Sequence, residues 1–185
     1  EPIALGPSFP DTVKVCSGYR GAEDLSARAW AACDAQNFYF AAEVTDDVFD
    51  QRESGEKLWS GDHIQVSFHE GVNLNATWDG TEVEFGLAKT AAGPVLWNYA
   101  QKRAVTAGKI AVLRGGGPAG AGAQTGGCPG TARTLYEAAL PWAELGGFRP
   151  GTGRTLTWSF VVSDNDGDKF RGWLEWAPGV FGAKS

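Results

Sequence analysis

The sequence predicts an all-β fold, an antiparallel β-sandwich that is jelly-roll-like and has one short helical turn. Short runs rich in Val, Ile, Phe, Tyr and Trp recur along the chain, and clusters of Gly, Asp, Asn and Pro separate them. No long amphipathic helical pattern lies between the runs, which argues against α/β folds and their nucleotide sites. A length of 185 residues suits one domain with its own core, so we expect a single domain over 1–185.

Nine runs are predicted as strands, a number that suits a sandwich. In chain order they are Thr12–Cys16, Ala27–Cys33, Phe38–Val44, His63–Phe68, Glu82–Ala88, Ile110–Arg114, Thr134–Ala139, Leu156–Ser163 and Phe170–Trp176. The helical turn is predicted at Pro141–Leu145, because Pro opens a helix well and Gly146 and Gly147 end it.

The segment 115–130 interrupts this pattern. It contains eight Gly and two Pro in sixteen residues, a composition that fills no core and holds no regular element. We interpret it as a long mobile loop at the tip of a hairpin formed by Ile110–Arg114 and Thr134–Ala139. A domain boundary is the alternative, but few residues follow for a second core.

Composition and charge exclude several classes of partner. A net charge of −6 and a pI near 4.9 repel phosphate backbones and anionic lipid, so nucleic acid is not expected as a partner. No window has the ~20 consecutive apolar residues of a membrane span. A first residue Glu1 and the lack of Met suggest a mature form or an excised module of a longer protein.

Three cysteines, at 16, 33 and 128, match no CxxC motif. Either one disulfide forms and one thiol stays free, or all three are buried thiols. The pair that we favour is Cys16 with Cys33, since both lie in early strand-like runs and would close a short loop.

Catalytic motifs are lacking, and we expect no enzymatic activity. The sequence has no Gly-x-Ser-x-Gly elbow, no His-Glu-x-x-His and no phosphate-binding glycine loop. Its two histidines, His63 and His69, share one face of a strand but stand roughly 20 Å apart, too far for one metal ion. We expect both on the solvent side. Two carboxylates across a cleft, as in a glycosidase, are not excluded.

The acidic loop at 164–168 suggests a calcium site, because alternate carboxylates in a tight loop can converge on a hard cation. The candidate ligands are Asp164, Asp166, Asp168 and Glu175, with Asp46 from a second acidic group. The spacing is not that of an EF-hand, since Lys169 stands where the sharp turn needs Gly. The alternative is a plain β-turn made by Asn165, Asp166 and Gly167.

Eight tryptophans are many for this length. Trp30, Trp142 and Trp158 lie in apolar runs and are expected in the core. Trp59 follows a polar stretch and precedes Ser60-Gly61-Asp62, so it is a candidate platform for a sugar ring, with Asp62 among the flanking polar groups. Trp173 and Trp176 fall on opposite faces of their strand.

Four stretches resemble, in order and spacing, the family 9 carbohydrate-binding modules and their relatives in the wider DOMON-like group. They are Phe38–Asp47, Leu58–Val66, Tyr136–Leu145 and Ser163–Asp168. The resemblance extends from about residue 25 to the end of the chain.

The resemblance implies a calcium-binding jelly-roll sandwich in which two tryptophans clamp a terminal sugar ring. Trp59 matches one clamp residue by its place before Gly-Asp. Gln65 stands where such modules carry a hydrogen-bonding acid, and Arg171 falls near a polar contact position. The second clamp position corresponds to Phe181, with Trp176 as the alternative.

The function that we predict is a non-catalytic carbohydrate-binding module, stabilised by calcium, in a larger secreted or cell-surface bacterial protein. Its partners would be a polysaccharide or oligosaccharide and a fused catalytic domain or neighbouring subunits. The alternative is a structural or assembly sandwich of a surface protein that binds no sugar. Haem binding, known among DOMON relatives, ranks last because the chain lacks Met and its histidines lie far apart.

Overall fold

Two antiparallel sheets pack face to face in the structure, a computed structural model that describes residues 1–6, 13–14, 17–72, 80–115, 132–167 and 169–177. The strands are β1 Ile3–Leu5, β2 Val13–Lys14, β3 Leu25–Cys33, β4 Asn37–Asp46, β5 Ile64–Glu70, β6 Val83–Thr90, β7 Gly93–Asn98, β8 Arg103–Ala104, β9 Lys109–Gly115, β10 Ala132–Pro141, β11 Leu156–Asn165 and β12 Phe170–Glu175. Two short 3-10 helices, Gly55–Ser60 and Trp142–Glu144, complete the described elements.

The five-stranded sheet has the order β1-β3-β4-β10-β9, and the seven-stranded sheet has the order β2-β12-β11-β5-β6-β7-β8. Each sheet therefore has an inward face toward the other sheet and an outward face. The all-β prediction and the sandwich architecture are confirmed.

The core fills the space between the inward faces. Period-two alternation places Ala27 and Ala29 of β3 and Phe40 of β4 inward, opposite Val66 of β5 and Phe160 of β11. Phe40 and Phe160 meet edge to face with ring centroids 5.3 Å apart. Burial of these rings together with the other apolar side chains of the core is the main favourable term that joins the sheets.

Eight of the nine predicted runs coincide with strands β3 to β6 and β9 to β12. Of the run Thr12–Cys16, the described part, Val13–Lys14, is strand β2. The predicted pairing of the two hairpin strands is confirmed, since β9 and β10 are antiparallel neighbours. The predicted loop begins inside β9 at Gly115, and 116–130 lies outside the described residues.

The helical turn at Pro141–Leu145 is confirmed as the 3-10 helix Trp142–Glu144. The helix Gly55–Ser60 and strands β1, β7 and β8 were not predicted. Among the helices of the described residues, none has the length and apolar character that crossing a membrane requires.

The placement of the tryptophans corrects one prediction. Trp142 is 5% exposed and Trp158 packs against the core, as expected. Trp30 is 40% exposed, because Ala27 and Ala29 face inward and the alternation turns Trp30 outward. The apolar residues Trp30–Cys33 form the last part of β3, where the strand is exposed to solvent.

The outward face of the seven-stranded sheet corrects a second prediction. His63, expected on the solvent side, is only 1% exposed. Alternation placed it on the outward face correctly, but side chains of this sheet pack over one another there. His69, farther along β5, is half-buried.

Cys33 is an exposed free cysteine at the end of β3. Its predicted partner Cys16 lies outside the described residues, as does Cys128. The Cys16–Cys33 disulfide therefore stays a prediction.

Candidate functional site

Trp59 stands on the 3-10 helix Gly55–Ser60, which leads into β5. Leu58 of this turn is fully buried and anchors it against the sandwich, whereas the next side chain, Trp59, is 48% exposed. Because Leu58 is held in the core and Trp59 follows it directly, the indole of Trp59 points toward solvent. Trp59 is therefore an exposed aromatic surface on an anchored turn, a placement that suits the predicted sugar platform.

The buried side chain of Gln51 stabilises this turn by hydrogen bonds to its backbone. Its Nε2 donates to the carbonyl oxygens of Leu58 and Asp62, at 3.0 and 3.1 Å. Gly61 makes room for it, since a Cβ there would lie 2.5 Å from Oε1 of Gln51. The segment that carries Trp59 is thus held by buried hydrogen bonds, which limits the entropy lost when a ligand orders it.

Asp62 and Asn165 connect the same turn to the end of β11. The Asp62 carboxylate accepts hydrogen bonds from the backbone N–H of Asp50 and, at 2.8 Å, of Asn165. Asn165 Nδ2 donates to the carbonyl of Ser60 at 2.6 Å. Asp62 is 3% exposed. It was predicted to contact a ligand, but the structure makes it a residue that positions the Trp59 turn.

Two further aromatic rings lie beside Trp59. Phe170 meets it edge to face at 6.5 Å, and Trp173 is stacked with Phe170 at 6.3 Å and 27°. A shift in the β11–β12 register between Asp164 and Asn165 places this pair, which regular alternation would put on opposite faces. Trp59, Phe170 and Trp173 form the aromatic row of the site.

Trp176 does not belong to this row. Its ring lies 4.7 Å from Trp158 and 6.0 Å from Phe160, both on the inward side of β11. The predicted separation of Trp173 and Trp176 to opposite sides is thus observed. Trp176 therefore lies on the wrong side of its sheet to clamp a sugar together with Trp59. Phe181, the first choice for that role, lies outside the described residues.

A chain of buried polar groups crosses the outward face of the seven-stranded sheet. His63 Nε2 lies 3.2 Å from Oε1 of Gln65, and Gln65 Nε2 donates to Glu84. His63 Nδ1 lies 3.0 Å from the carbonyl of Gly61. Gln65 and Glu84 are 3% and 2% exposed. Gln65, predicted to contact ligand, is buried here and engaged with its neighbours.

Tyr99 and Trp97 extend this face. A Cβ on Gly86 would lie 2.9 Å from the Tyr99 hydroxyl oxygen, so only glycine lets Tyr99 lie flat on the sheet. Burial and the nearby charge of Glu84 raise the pKa of Tyr99, which keeps its hydroxyl protonated. The indole N–H of Trp97 is buried without a hydrogen-bond partner. The structure thus brings an aromatic row and a polar face to the same sheet.

Two solved structures with a similar fold are carbohydrate-binding modules. A family 9 module from Caldicellulosiruptor kristjanssonii in complex with cellotriose matches 95% of this chain and 80% of its own, at a TM-score of 0.57 and 12% identity. A family 9 module from the same organism in complex with glucose matches 92% of this chain and 77% of its own, at a TM-score of 0.50 and 14% identity.

This chain has the fold of the family 9 carbohydrate-binding modules. The predicted resemblance to that family is confirmed at the level of the fold, while the relation to the DOMON-like group stays a prediction. By sequence, the chain matches neither a protein-family model nor a curated protein.

A group of buried carboxylates lies at the end of the sandwich where β4 and β11 finish. Burial raises the pKa of Asp46 to about 7, against the opposing effect of Arg114, and burial followed by the charge of Asp166 raises that of Asp164 to about 7. The pKa of Asp62 also lies well above its usual value, because of burial and the charge of Asp46. These three carboxylates form the acidic end, in which close negative charges oppose one another.

The other predicted metal ligands that the structure describes, Asp166 and Glu175, are an ion-paired neighbour of Asp164 and a residue on the other face of the sheet. Asp166 accepts a hydrogen bond from Arg171 Nε at 2.8 Å, so the predicted sugar contact Arg171 serves as its ion-pair partner. Glu175 pairs in register with Val161, three residues from Asp164 and on the opposite face of the sheet. Asp168 lies outside the described residues. Within the described part of the chain, no three His, Cys, Asp or Glu side chains form a group that could hold a metal ion.

Several site residues escaped the sequence reasoning. Trp97 could have been found, because Val95 and Trp97 alternate with Leu96 and Asn98 as on a strand with one buried face. The Phe170–Trp173 pair could not, since a register shift brings it together. Asp62 carried no sequence signal that distinguished a buried positioning residue from a ligand contact.

Proposed function

We propose that this protein is a non-catalytic carbohydrate-binding module whose sugar site is centred on Trp59. The observation that carries the proposal is a half-exposed indole on a turn held by buried hydrogen bonds, with Phe170 and Trp173 beside it. The C–H faces of a pyranose ring stack on such aromatic surfaces. The fold shared with modules that bind cellotriose and glucose supports the proposal.

The neighbouring polar face supplies the second component of a sugar site. Sugar-binding sites combine aromatic walls with a few fixed hydrogen-bonding groups. Gln65 and Glu84 are held by each other, and the Trp97 N–H is an unpartnered donor on the same face. Trp97 joins this face to the Trp59 turn, because a Cβ on Gly55 of that turn would lie 3.5 Å from the Trp97 ring.

The proposed module also binds calcium, at the acidic end. Carboxylate oxygens are the ligands that this hard cation prefers, and burial, with a smaller effect of neighbouring carboxylates, raises the pKa values of Asp46 and Asp164, so a bound divalent charge would stabilise their ionised forms. Asp46 and Asp164 would supply two of the roughly 6–8 oxygens that calcium takes, and water would supply others, because the described residues contain no group of three such ligands. The bound ion would brace the junction between the Trp59 turn and β11. A calcium-stabilised module fits a secreted or cell-surface protein with further domains.

Calorimetric titration of wild type, Trp59→Ala and Trp176→Ala with glucose and cellotriose tests the sugar site. Trp176 is the matched control, because it is an exposed indole of similar accessibility on the other side of its sheet. We expect saturable binding in wild type and Trp176→Ala, and a loss of about ten-fold or more in Trp59→Ala. Equal affinities in all three proteins would refute the proposal.

Thermal unfolding with calcium and with EDTA tests the metal. We expect calcium to raise Tm of wild type at pH 8, because the acidic end is then ionised, and to leave Asp46→Asn nearly unchanged. Equal Tm values with calcium and with EDTA in wild type would show that calcium does not stabilise the folded protein.

A structural or assembly role is the second candidate, and the burial of Gln65 and Glu84 favours it. A polar face that satisfies its own hydrogen bonds has less to offer a ligand. No heat with any glycan from a folded protein would leave this candidate in place of the first.

A further inference from the structure

The outward face of the five-stranded sheet carries exposed aromatic side chains that the Trp59 site does not use. Trp30 of β3 and Tyr39 of β4 are 40% and 37% exposed. Both point away from the core, because their neighbours Ala29 and Phe40 face inward. Aromatic rings exposed on the middle strands of a sheet indicate contact with a ligand or partner more often than isolated surface residues do.

Alternating large and small side chains give this face its shape. One row across the sheet runs Trp30, Ala41, Glu137 and Ala111, and the next row runs Ala32, Tyr39, Ala139 and Lys109. The alanines form a low floor between the larger residues. The result is a groove with a volume of about 470 Å³, within the range of about 300–1,000 Å³ typical of small-molecule sites.

Both aromatic rings are held in place before any ligand binds. The Tyr39 hydroxyl donates to Asp34 at 2.8 Å and accepts from Asn37 at 3.2 Å. The Arg28 guanidinium lies 5.9 Å from the Trp30 ring centroid and is itself paired with Glu43 at 2.7 Å. Rings that are already ordered lose little entropy on binding, which favours a weakly interacting ligand such as a sugar.

The charges in the groove indicate the class of ligand. Lys109 and Glu137 supply one charge of each sign, and both are exposed. An anionic polymer would meet Glu137 and a cationic one Lys109, whereas the hydroxyl groups of a neutral sugar can bond to both. Trp30 and Tyr39 are diagonal neighbours on adjacent strands, roughly 7–8 Å apart, a distance that two linked pyranose rings span.

We propose that this groove is a second carbohydrate site, which binds a neutral oligosaccharide by stacking on Trp30 and Tyr39 with Lys109 and Glu137 bonding to its hydroxyls. The groove lies on the opposite sheet from Trp59, and sugar binding there does not depend on the Trp59 site. With a site on each outward face, one domain would hold two chains of a polysaccharide, or one chain twice, and bind more tightly than either site alone.

The test is calorimetric titration of cellohexaose, xylohexaose and mannohexaose into Trp59→Ala, where the first site is disabled. We expect a remaining saturable site that Trp59→Ala/Trp30→Ala weakens about ten-fold or more. Leu113→Ala is the control, because Leu113 is 68% exposed on the same face but outside the groove. Trp30→Ala in the wild-type background should also weaken binding on its own.

Three results would overturn the proposal. Equal affinities of Trp59→Ala and the double variant for each hexaose would show that Trp30 contacts no sugar. No binding to Trp59→Ala, with binding to wild type, would leave Trp59 as the one site. Self-association in sedimentation equilibrium that Trp30→Ala and Leu113→Ala abolish alike would make this face a contact between copies of the chain.

Discussion

The two outward faces of the sandwich differ in almost every respect. On the seven-stranded sheet the face is polar and covered, with Gln65 and Glu84 at 3% and 2% exposure. On the five-stranded sheet the face is open, with Trp30 and Tyr39 at 40% and 37% exposure and charged side chains beside them. Alternation decides which side of a sheet a residue occupies, but the loops and neighbouring side chains decide whether water reaches it.

This difference shows why polarity alone is a poor guide to exposure in a sandwich. The polar side chains of the seven-stranded sheet avoid water by bonding to one another, as Gln65 does with Glu84. The exposed apolar residues of the other sheet have no such partner layer among the described residues. The two faces would therefore bind a ligand, as we propose, by different chemistry.

The largest expected effect comes from the acidic end between the two sheets. Burial raises the pKa of Asp46 and of Asp164 from 3.8 to about 7. The unfolded chain releases these protons near pH 4 and the folded protein only near pH 7, so the folded state binds more protons in between. The free energy of unfolding should therefore fall as pH rises from about 4 to about 7, and level off above that.

Urea unfolding in EDTA at pH 5, 6, 7 and 8 measures this slope. Asp46→Asn, which cannot ionise, should show a shallower one. A free energy of unfolding that stays constant or rises over this range in wild type would contradict the account of the acidic end.

Two aspartates sharpen the comparison of the faces. Asp62 and Asp34 each accept hydrogen bonds from two backbone N–H groups, but Asp62 is buried and Asp34 is exposed. Asp62→Ala should lower the free energy of unfolding by about 3 kcal/mol, because it leaves buried donors without acceptors. Asp34→Ala should lose much less, since water replaces the carboxylate. Similar losses from chemical denaturation would mean that the Asp62 region is open to solvent.

Gly86→Ala tests the covered face by overpacking. The new Cβ would lie 2.9 Å from the Tyr99 hydroxyl oxygen, so Tyr99 must move. We expect a loss of about 1–2 kcal/mol in the free energy of unfolding. An unchanged free energy would show that Tyr99 does not lie on the sheet as described.

Ala41→Val tests the open face in the same way, with the smallest expected effect on stability. Ala41 lies in the floor of the groove between Trp30 and Glu137, where a larger side chain meets solvent rather than a packed layer. Stability should change by less than about 0.5 kcal/mol, because surface substitutions usually do. Binding of hexaoses to Trp59→Ala/Ala41→Val should weaken. A large loss of stability would show that this face is packed after all.

Much of the fold could be predicted, because strands with one buried face carry a period-two pattern. The runs Phe38–Val44 and Leu156–Ser163 lie within β4 and β11, and the Pro141–Leu145 turn was found from its Pro and Gly signals. Strand β7 escaped because it begins with Gly93-Pro94, which indicates a turn from sequence alone.

The site was predictable only where a single residue carried the signal. Trp59, an indole that follows a polar stretch, was identified as a candidate platform, and it is exposed. Trp30 was placed in the core because an apolar run without alternation does not indicate its buried side. The row of Trp59, Phe170 and Trp173 depends on a register shift, and the burial of Gln65 depends on partners on β6 that are distant in sequence. These are tertiary properties that local sequence does not contain.

The most direct test of carbohydrate binding on the outward faces is a fluorine NMR titration of protein labelled with 5-fluorotryptophan, with signals assigned by single substitutions. On addition of cellohexaose, we expect saturable chemical-shift changes for the signals of Trp59 and, separately, of Trp30. The signals of Trp142 and Trp176, which lie on the inward side, should not shift. A Trp59 signal that does not move at saturating sugar, or one that moves no more than that of Trp176, would contradict this expectation.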